Sequence, residues 1–322
     1  MVNYLKFKRL IYKTDIMKKI YLVLFVLTFF TKYAQDYKGF DVSNIALPIS
    51  EIKDGGPPKD GIPAIDSPKF LSSSESSLLE NERILGVYEN GIAKAYPISI
   101  LNYHEIVNDK FDNRPIVVTY CPLCGSGIAF DAKVGNNSLS FGVSGLLYNS
   151  DMLLYDRQTE SLWSQLKYEA ISGPLVGKKL KPLPTSNTTW ADWHKRHPNS
   201  LVLSRDTGFN RNYNQNPYPD YDDSDFIYFP INNSDDSYHP KEMVIGITLN
   251  GKAKAYPFSE LEKIREDFIE DYFEDKFLRV YYNSDSKSAE IRDNQNNLMA
   301  SVTNFWFAWF AFHPNTSVFT TK

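Results

Sequence analysis

The sequence predicts an α+β fold built from two tandem copies of a mostly antiparallel β unit with short helices, the first copy carrying an insert. Three observations predict it. Residues 84–97 are echoed without a gap by residues 244–257, so that Glu89-Asn90-Gly91 meets Leu249-Asn250-Gly251 and Ala95-Tyr96-Pro97 meets Ala255-Tyr256-Pro257. A β-branched run at 115–120 matches 277–282. Residues 190–203 match 306–319, with His197-Pro198-Asn199-Ser200 against His313-Pro314-Asn315-Thr316. Self-similarity of this kind marks a structural unit used more than once.

Each copy reads in the same order. A hairpin turns at Asn-Gly, the pair that tolerates positive φ at both central residues. A helix opens at Pro97 or Pro257, where a missing N–H costs nothing. The β-branched strand follows, then further short strands, a Trp-rich helix ending at His-Pro-Asn, and a final strand. Residues 141–184 have no counterpart in the second copy and read as an insert. The expected divisions are 1–35 (upstream residues and signal peptide), 36–83 (N-terminal extension), 84–205 (first copy), 206–242 (a connecting segment whose tyrosines predict packing) and 243–322 (second, degenerate copy).

At the N-terminus, Met17-Lys18-Lys19 leads into an apolar run at 20–30 and then Thr31-Lys32-Tyr33-Ala34-Gln35. A charged region, an apolar stretch and a cleavage site of this form predict a signal peptide and an exported (periplasmic or secreted) chain beginning near Gln35 or Asp36, with an uncleaved anchor as the alternative. The run falls short of the ~20 residues of a membrane span, and no transmembrane domain is expected in the mature chain. The 322 residues are 42% hydrophobic and carry a formal net charge of -4. That balance, with Lys and Arg spread out, excludes a basic nucleic-acid-binding stripe.

Chemistry concentrates at Cys121-Pro122-Leu123-Cys124-Gly125-Ser126, which holds the chain's two cysteines. No long helix follows Cys124, which argues against a thioredoxin site. A Cys-x-x-Cys-Gly turn suits a metal knuckle for copper or zinc, but zinc needs three or four ligands, so other side chains must complete it. His104 is the leading candidate, placed by a helix over 97–109 on a stripe facing the sheet, where the second copy has Ile264. A core histidine bonded to a carbonyl is the structural alternative. The second copy has Asn283 and Ser286 where the first has Cys121 and Cys124, which groups Cys121, Cys124 and His104 as one metal or redox site, with a plain structural disulfide as the alternative. Asp156, Arg157, Thr159, Glu160, Trp163 and Gln165 form a polar-aromatic run fit to line a pocket, with Arg157 as an anion clamp and Trp163 as a wall. Glu105 and Ser126 are further pocket candidates.

The stretches His104-Glu105-Ile106-Val107-Asn108-Asp109, 120–126, 141–146 and 156–165 resemble the uncharacterised prokaryotic family called domain of unknown function 3179. The resemblance is close over residues 86–229 and implies that these stretches form one domain with the Cys pair. It carries over no reaction, substrate or cofactor. Three expectations therefore stand: a thiophilic-metal site, a thiol-disulfide redox pair, and a non-enzymatic module binding a small molecule or protein partner. No Ser-His-Asp array or phosphate-cradling glycine loop names a reaction.

Overall fold

Both Asn-Gly hairpins form in the same register. Arg83–Glu89 pairs antiparallel with Ile92–Pro97, and Met243–Leu249 with Lys252–Pro257, closing at Glu89 opposite Ile92 and Leu249 opposite Lys252. Asn90, Gly91, Asn250 and Gly251 all have positive φ, as two-residue hairpin turns require. The structure is a computed structural model that describes residues 36–321; the expected signal peptide lies outside the described residues.

The expected α+β fold of two tandem copies is not what the chain adopts. Strands account for 41% of the structure and helices for 10%, with five small sheets arranged as a five-bladed β-propeller. In chain order of their central hairpins, blade one orders Thr185–Thr189, Arg83–Glu89, Ile92–Pro97, Leu201–Leu203 and Phe70–Ser72. Blade two orders Lys181–Leu183, Ser126–Asp131, Arg114–Cys121 and Ile106–Phe111. Blade three orders Glu169–Ala170, Leu162–Ser164, Asp151–Asp156, Phe141–Tyr148 and Ile52–Asp54. Blade four orders Val302–Phe305, Met243–Leu249, Lys252–Pro257 and Ser317–Val318, and blade five Phe268–Phe273, Lys276–Asn283 and Ser288–Arg292.

Two features account for the correction. The stretch read as an insert supplies the four strands from Phe141–Tyr148 to Glu169–Ala170, which are most of blade three. The helices are also too short to form a layer: α1 is Ile98–His104, α2 Trp190–Arg196, α3 Phe258–Leu261 and α4 Trp306–Phe312. The helix expected over 97–109 stops at His104 because Glu105 takes a left-handed φ of 57° and caps it, its N–H bonding Leu101 O at 2.7 Å. The β-branched Ile106-Val107 then continues as strand.

Repetition survives at the level of blades. Lys94 and Tyr96 of blade one both bond Asp109 of blade two, at 2.8 and 2.6 Å; Lys254 and Tyr256 of blade four both bond Asp271 of blade five, at 2.5 and 2.7 Å. Each hairpin is thus tied to the next blade by a largely buried carboxylate. Gly86 and Gly246 lie under Trp193 and Trp309, whose indole N–H groups bond Ser200 and Thr316 at 2.8 and 2.9 Å. A Cβ on either glycine would come within 2.4 Å of the facing ring.

The largest apolar cluster joins blades two, three and four and includes Cys121, Cys124, Phe141, Leu154, Trp163, Val244, Phe305 and Trp309. Among the described residues no helix is long and apolar enough to cross a membrane. Gly246→Ala should lower the thermal unfolding midpoint, at a cost of about 1–3 kcal/mol for overpacking against Trp309. Thermal melts followed by near-UV circular dichroism check this.

Candidate metal centre and adjoining cavity

The Cys-Pro-Leu-Cys segment is the turn of a hairpin. Arg114–Cys121 and Ser126–Asp131 pair antiparallel, with Cys121 opposite Ser126. Gly125 closes the turn with a φ of 59°, and a Cβ there would meet the Phe305 ring at 3.2 Å. The turn is pinned from outside: Phe305 N–H donates to Cys124 O at 2.9 Å, and Tyr221 Oη donates to Leu123 O at 3.2 Å. From below, Ser126 Oγ donates to Gln165 Oε1 at 2.7 Å, while Gln165 Nε2 donates to Thr119 Oγ1 at 2.8 Å. A fully buried amide therefore braces both strands that flank the cysteine turn.

The two thiols are free and buried. They face a second turn, Asn149-Ser150, which joins Phe141–Tyr148 to Asp151–Asp156 in blade three. Both turn residues are left-handed without being glycine, with φ of 51° and 65°. Asn149 holds that conformation from both ends of its amide, accepting from Asn232 N–H at 2.9 Å and donating to Ala311 O at 3.2 Å. The turn aims Ser150 O at the sulfurs, 3.4 Å from Cys124 Sγ and 3.9 Å from Cys121 Sγ.

The next residue, Asp151, completes a group. A sulfur from Cys121, a sulfur from Cys124 and a carboxylate oxygen of Asp151 lie within 4.8 Å of one another, and all three residues are buried. Asp151 Oδ2 accepts from Leu166 N–H at 3.0 Å, whereas the buried Oδ1 has no hydrogen-bond partner. Burial pushes Asp151 up to about 8, against an ordinary value of 3.8, despite the backbone N–H groups that favour its charge. Burial likewise pushes both thiols up, Cys124 the further of the two because Cys121 adds to the effect. Lys241 supplies nearby positive charge. Its ammonium donates to the carbonyls of Tyr221, Ser224 and Phe226 and sits 3.4 Å from the Tyr221 ring centroid.

His104 is held elsewhere. Nδ1 lies 2.7 Å from Pro63 O and Nε2 2.6 Å from Tyr213 Oη. Pro63 O can only accept, so Nδ1 carries the proton and Nε2 accepts from Tyr213; burial holds the ring below its usual value and therefore neutral. Both nitrogens are occupied by these bonds, and the histidine is outside the sulfur-carboxylate group.

The other sequence-selected residues divide by role. Asp156 accepts from Thr159 N–H, Thr159 Oγ1 and Trp163 Nε1 at 2.7, 2.9 and 2.9 Å, closing its own turn inside blade three. Trp163 packs edge-on against Phe141. Arg157 pairs with Asp66 at 3.2 Å and Asp60 at 3.6 Å near the surface. Ser126 and Gln165 brace the cysteine hairpin, as described.

Glu105 alone of these lines a cavity with Cys121. The cavity has a volume of about 240 Å³ and is walled mostly by apolar groups, among them Ile62, Val143, Leu147, Met152 and Phe229, together with Tyr218 and Tyr228. The left-handed φ that ends α1 delivers the Glu105 carboxyl there, and burial pushes it up to about 8.

A five-bladed propeller with one thiol-carboxylate group at the junction of three blades is the class that this fold and site define. Comparison with protein families places the chain: the model described as Protein of unknown function (DUF3179) matches residues 59–316, and the chain belongs to that family. No curated protein and no solved structure matches it.

Burial of Glu105 and Asp151 sets a pH dependence. Unfolded, these carboxyls lose their protons near 4.5 and 3.8; folded, they keep them to about 8. The folded state binds more protons between those limits, so stability is fully present at the acid end and is lost as pH rises to about 8. In metal-free protein, Glu105→Gln should flatten this fall and leave the variant more stable than the parent at pH 8, by on the order of a few kcal/mol. Urea titrations at pH 5, 6.5 and 8 check the sign and the slope.

Proposed function

We propose that the protein binds a thiophilic metal ion, zinc in the first instance, through Cys121, Cys124 and Asp151. The observation that carries the reading is the convergence of two sulfurs and a carboxylate oxygen within 4.8 Å, all from buried residues. A polar atom buried in this way is costly, and a cation is the partner that satisfies it together with two sulfurs. Two thiolates with one carboxylate make a borderline donor set that suits zinc, whereas copper(I) favours all-sulfur surroundings. Three protein ligands leave a position for water or substrate, as in catalytic zinc sites.

The redox alternative finds less support. Thiol exchange needs an accessible thiolate of lowered pKa, and both sulfurs are buried and pushed the other way. Histidine is no part of the proposed ligand set, since both His104 nitrogens are committed to Pro63 and Tyr213.

We also read the chain as exported, on residues 17–35. Adjacent thiols in an oxidising compartment tend to oxidise, and ligation of a metal would keep this pair reduced. N-terminal sequencing of the exported fraction should begin near Gln35 or Asp36.

The test is zinc titration of reduced, metal-free protein against a competing chelator. One equivalent of zinc should bind and release protons, with Asp151→Asn weakening affinity at least ~10-fold and Cys124→Ser removing stoichiometric binding. His104→Gln should leave zinc affinity within about threefold of the parent. No binding by the folded parent, or equal binding by the Cys124→Ser variant, would overturn the proposal.

A further inference from the structure

Cys121, one of the proposed metal ligands, also lines the cavity of about 240 Å³. Its walls come from separate parts of the chain: Val143 and Leu147 from blade three, Tyr218 and Phe229 from the segment that crosses over the cysteine turn, and Glu105 from the cap of α1. Two features mark it as built for a ligand rather than left by imperfect packing. First, Glu105 is a buried residue on the cavity wall, and among the described residues its carboxyl makes no hydrogen bond to another protein group. Second, Glu105 ends α1 in the left-handed region, with a φ of 57°, and so leaves the helix with its side chain on the cavity wall. A polar group set in a mostly apolar wall is costly unless a ligand or water meets it.

The lining restricts what can enter. No Lys, Arg or His lines the cavity, so an anionic ligand would lack a counter-charge. A cavity of ~150 Å³ holds benzene, and by the same scale this one holds about ten non-hydrogen atoms. We propose that the cavity binds a small neutral, mostly apolar molecule, aromatic or aliphatic, whose single hydroxyl or carbonyl group hydrogen-bonds the Glu105 carboxyl while its body lies against Cys121. If the metal reading above holds, on which this part rests, the ligand would lie beside Cys121, one of the residues that would hold the metal.

p-Cresol is the probe, titrated by calorimetry into the full chain both zinc-loaded and zinc-free, with toluene, benzylamine and benzoate alongside. The expected result is saturable one-to-one binding of p-cresol in both forms, at least ~10-fold tighter than toluene because toluene cannot pair with the carboxyl. Glu105→Leu should erase the preference of p-cresol over toluene while leaving zinc stoichiometry unchanged. Val143→Phe, which narrows the cavity, should weaken both neutral ligands together. Failure of p-cresol to bind, tighter binding of benzylamine or benzoate, or an unchanged preference in Glu105→Leu would overturn the inference. Loss of zinc binding with p-cresol binding intact would instead overturn the metal reading alone, so the two failures are distinguishable.

Discussion

Burial of two sulfurs and a carboxylate where three blades meet is the constraint around which the rest of the molecule is organised. Blade two carries the cysteines, blade three carries Asp151, and blade four presses Phe305 onto Gly125. In so apolar a setting the charged forms are disfavoured, and the groups hold their protons near neutral pH. A cation bound there would reverse that balance, since ligation would replace thiol and carboxyl protons by bonds to the metal. The surrounding contacts serve rigidity: the Gln165 amide ties the cysteine strands together, and the Asn149 amide fixes the turn that presents Ser150 O and Asp151. A site preorganised in this way needs little rearrangement to accept an ion.

The propeller explains why such a site occurs once while its scaffold repeats. Blade five contains a hairpin equivalent to the cysteine hairpin of blade two, with Asn283 opposite Ser288 as Cys121 is opposite Ser126. Lys287 even adopts a positive φ of 42° where Gly125 has 59°. The backbone geometry is therefore general to the two blades. What distinguishes the site enters through the side chains placed on it and through blade three, which has no repeated partner and supplies the carboxylate of the group. The segment over 206–242 adds the remaining elements, a wall of Tyr218 and Phe229 for the cavity and Lys241 beside the turn.

Much of this was legible in the chain. The Asn-Gly hairpins, the β-branched strands and the Cys-Pro-Leu-Cys turn follow from local rules of turn geometry and propensity. The blade count did not follow, because an unrepeated blade looks like an insert when judged against two repeated ones. His104 was assigned to a helical stripe whose helix ends at His104 itself, and the terminating left-handed residue, Glu105, carries no mark in sequence because it is neither glycine nor asparagine. Asp151 was the donor that sequence reasoning passed over. Its one signal is a charged residue heading an apolar strand, Asp151-Met152-Leu153-Leu154, directly after a polar turn; its proximity to the cysteines depends on blade packing, which no local pattern encodes.

Zinc K-edge X-ray absorption of the zinc-loaded protein tests the central claim most directly. The account predicts two sulfur neighbours at about 2.3 Å and oxygen at about 2.0–2.2 Å, with the sulfur shell lost in Cys121→Ser/Cys124→Ser. A zinc environment of nitrogen and oxygen alone, with both thiols still free to react after denaturation, would contradict it.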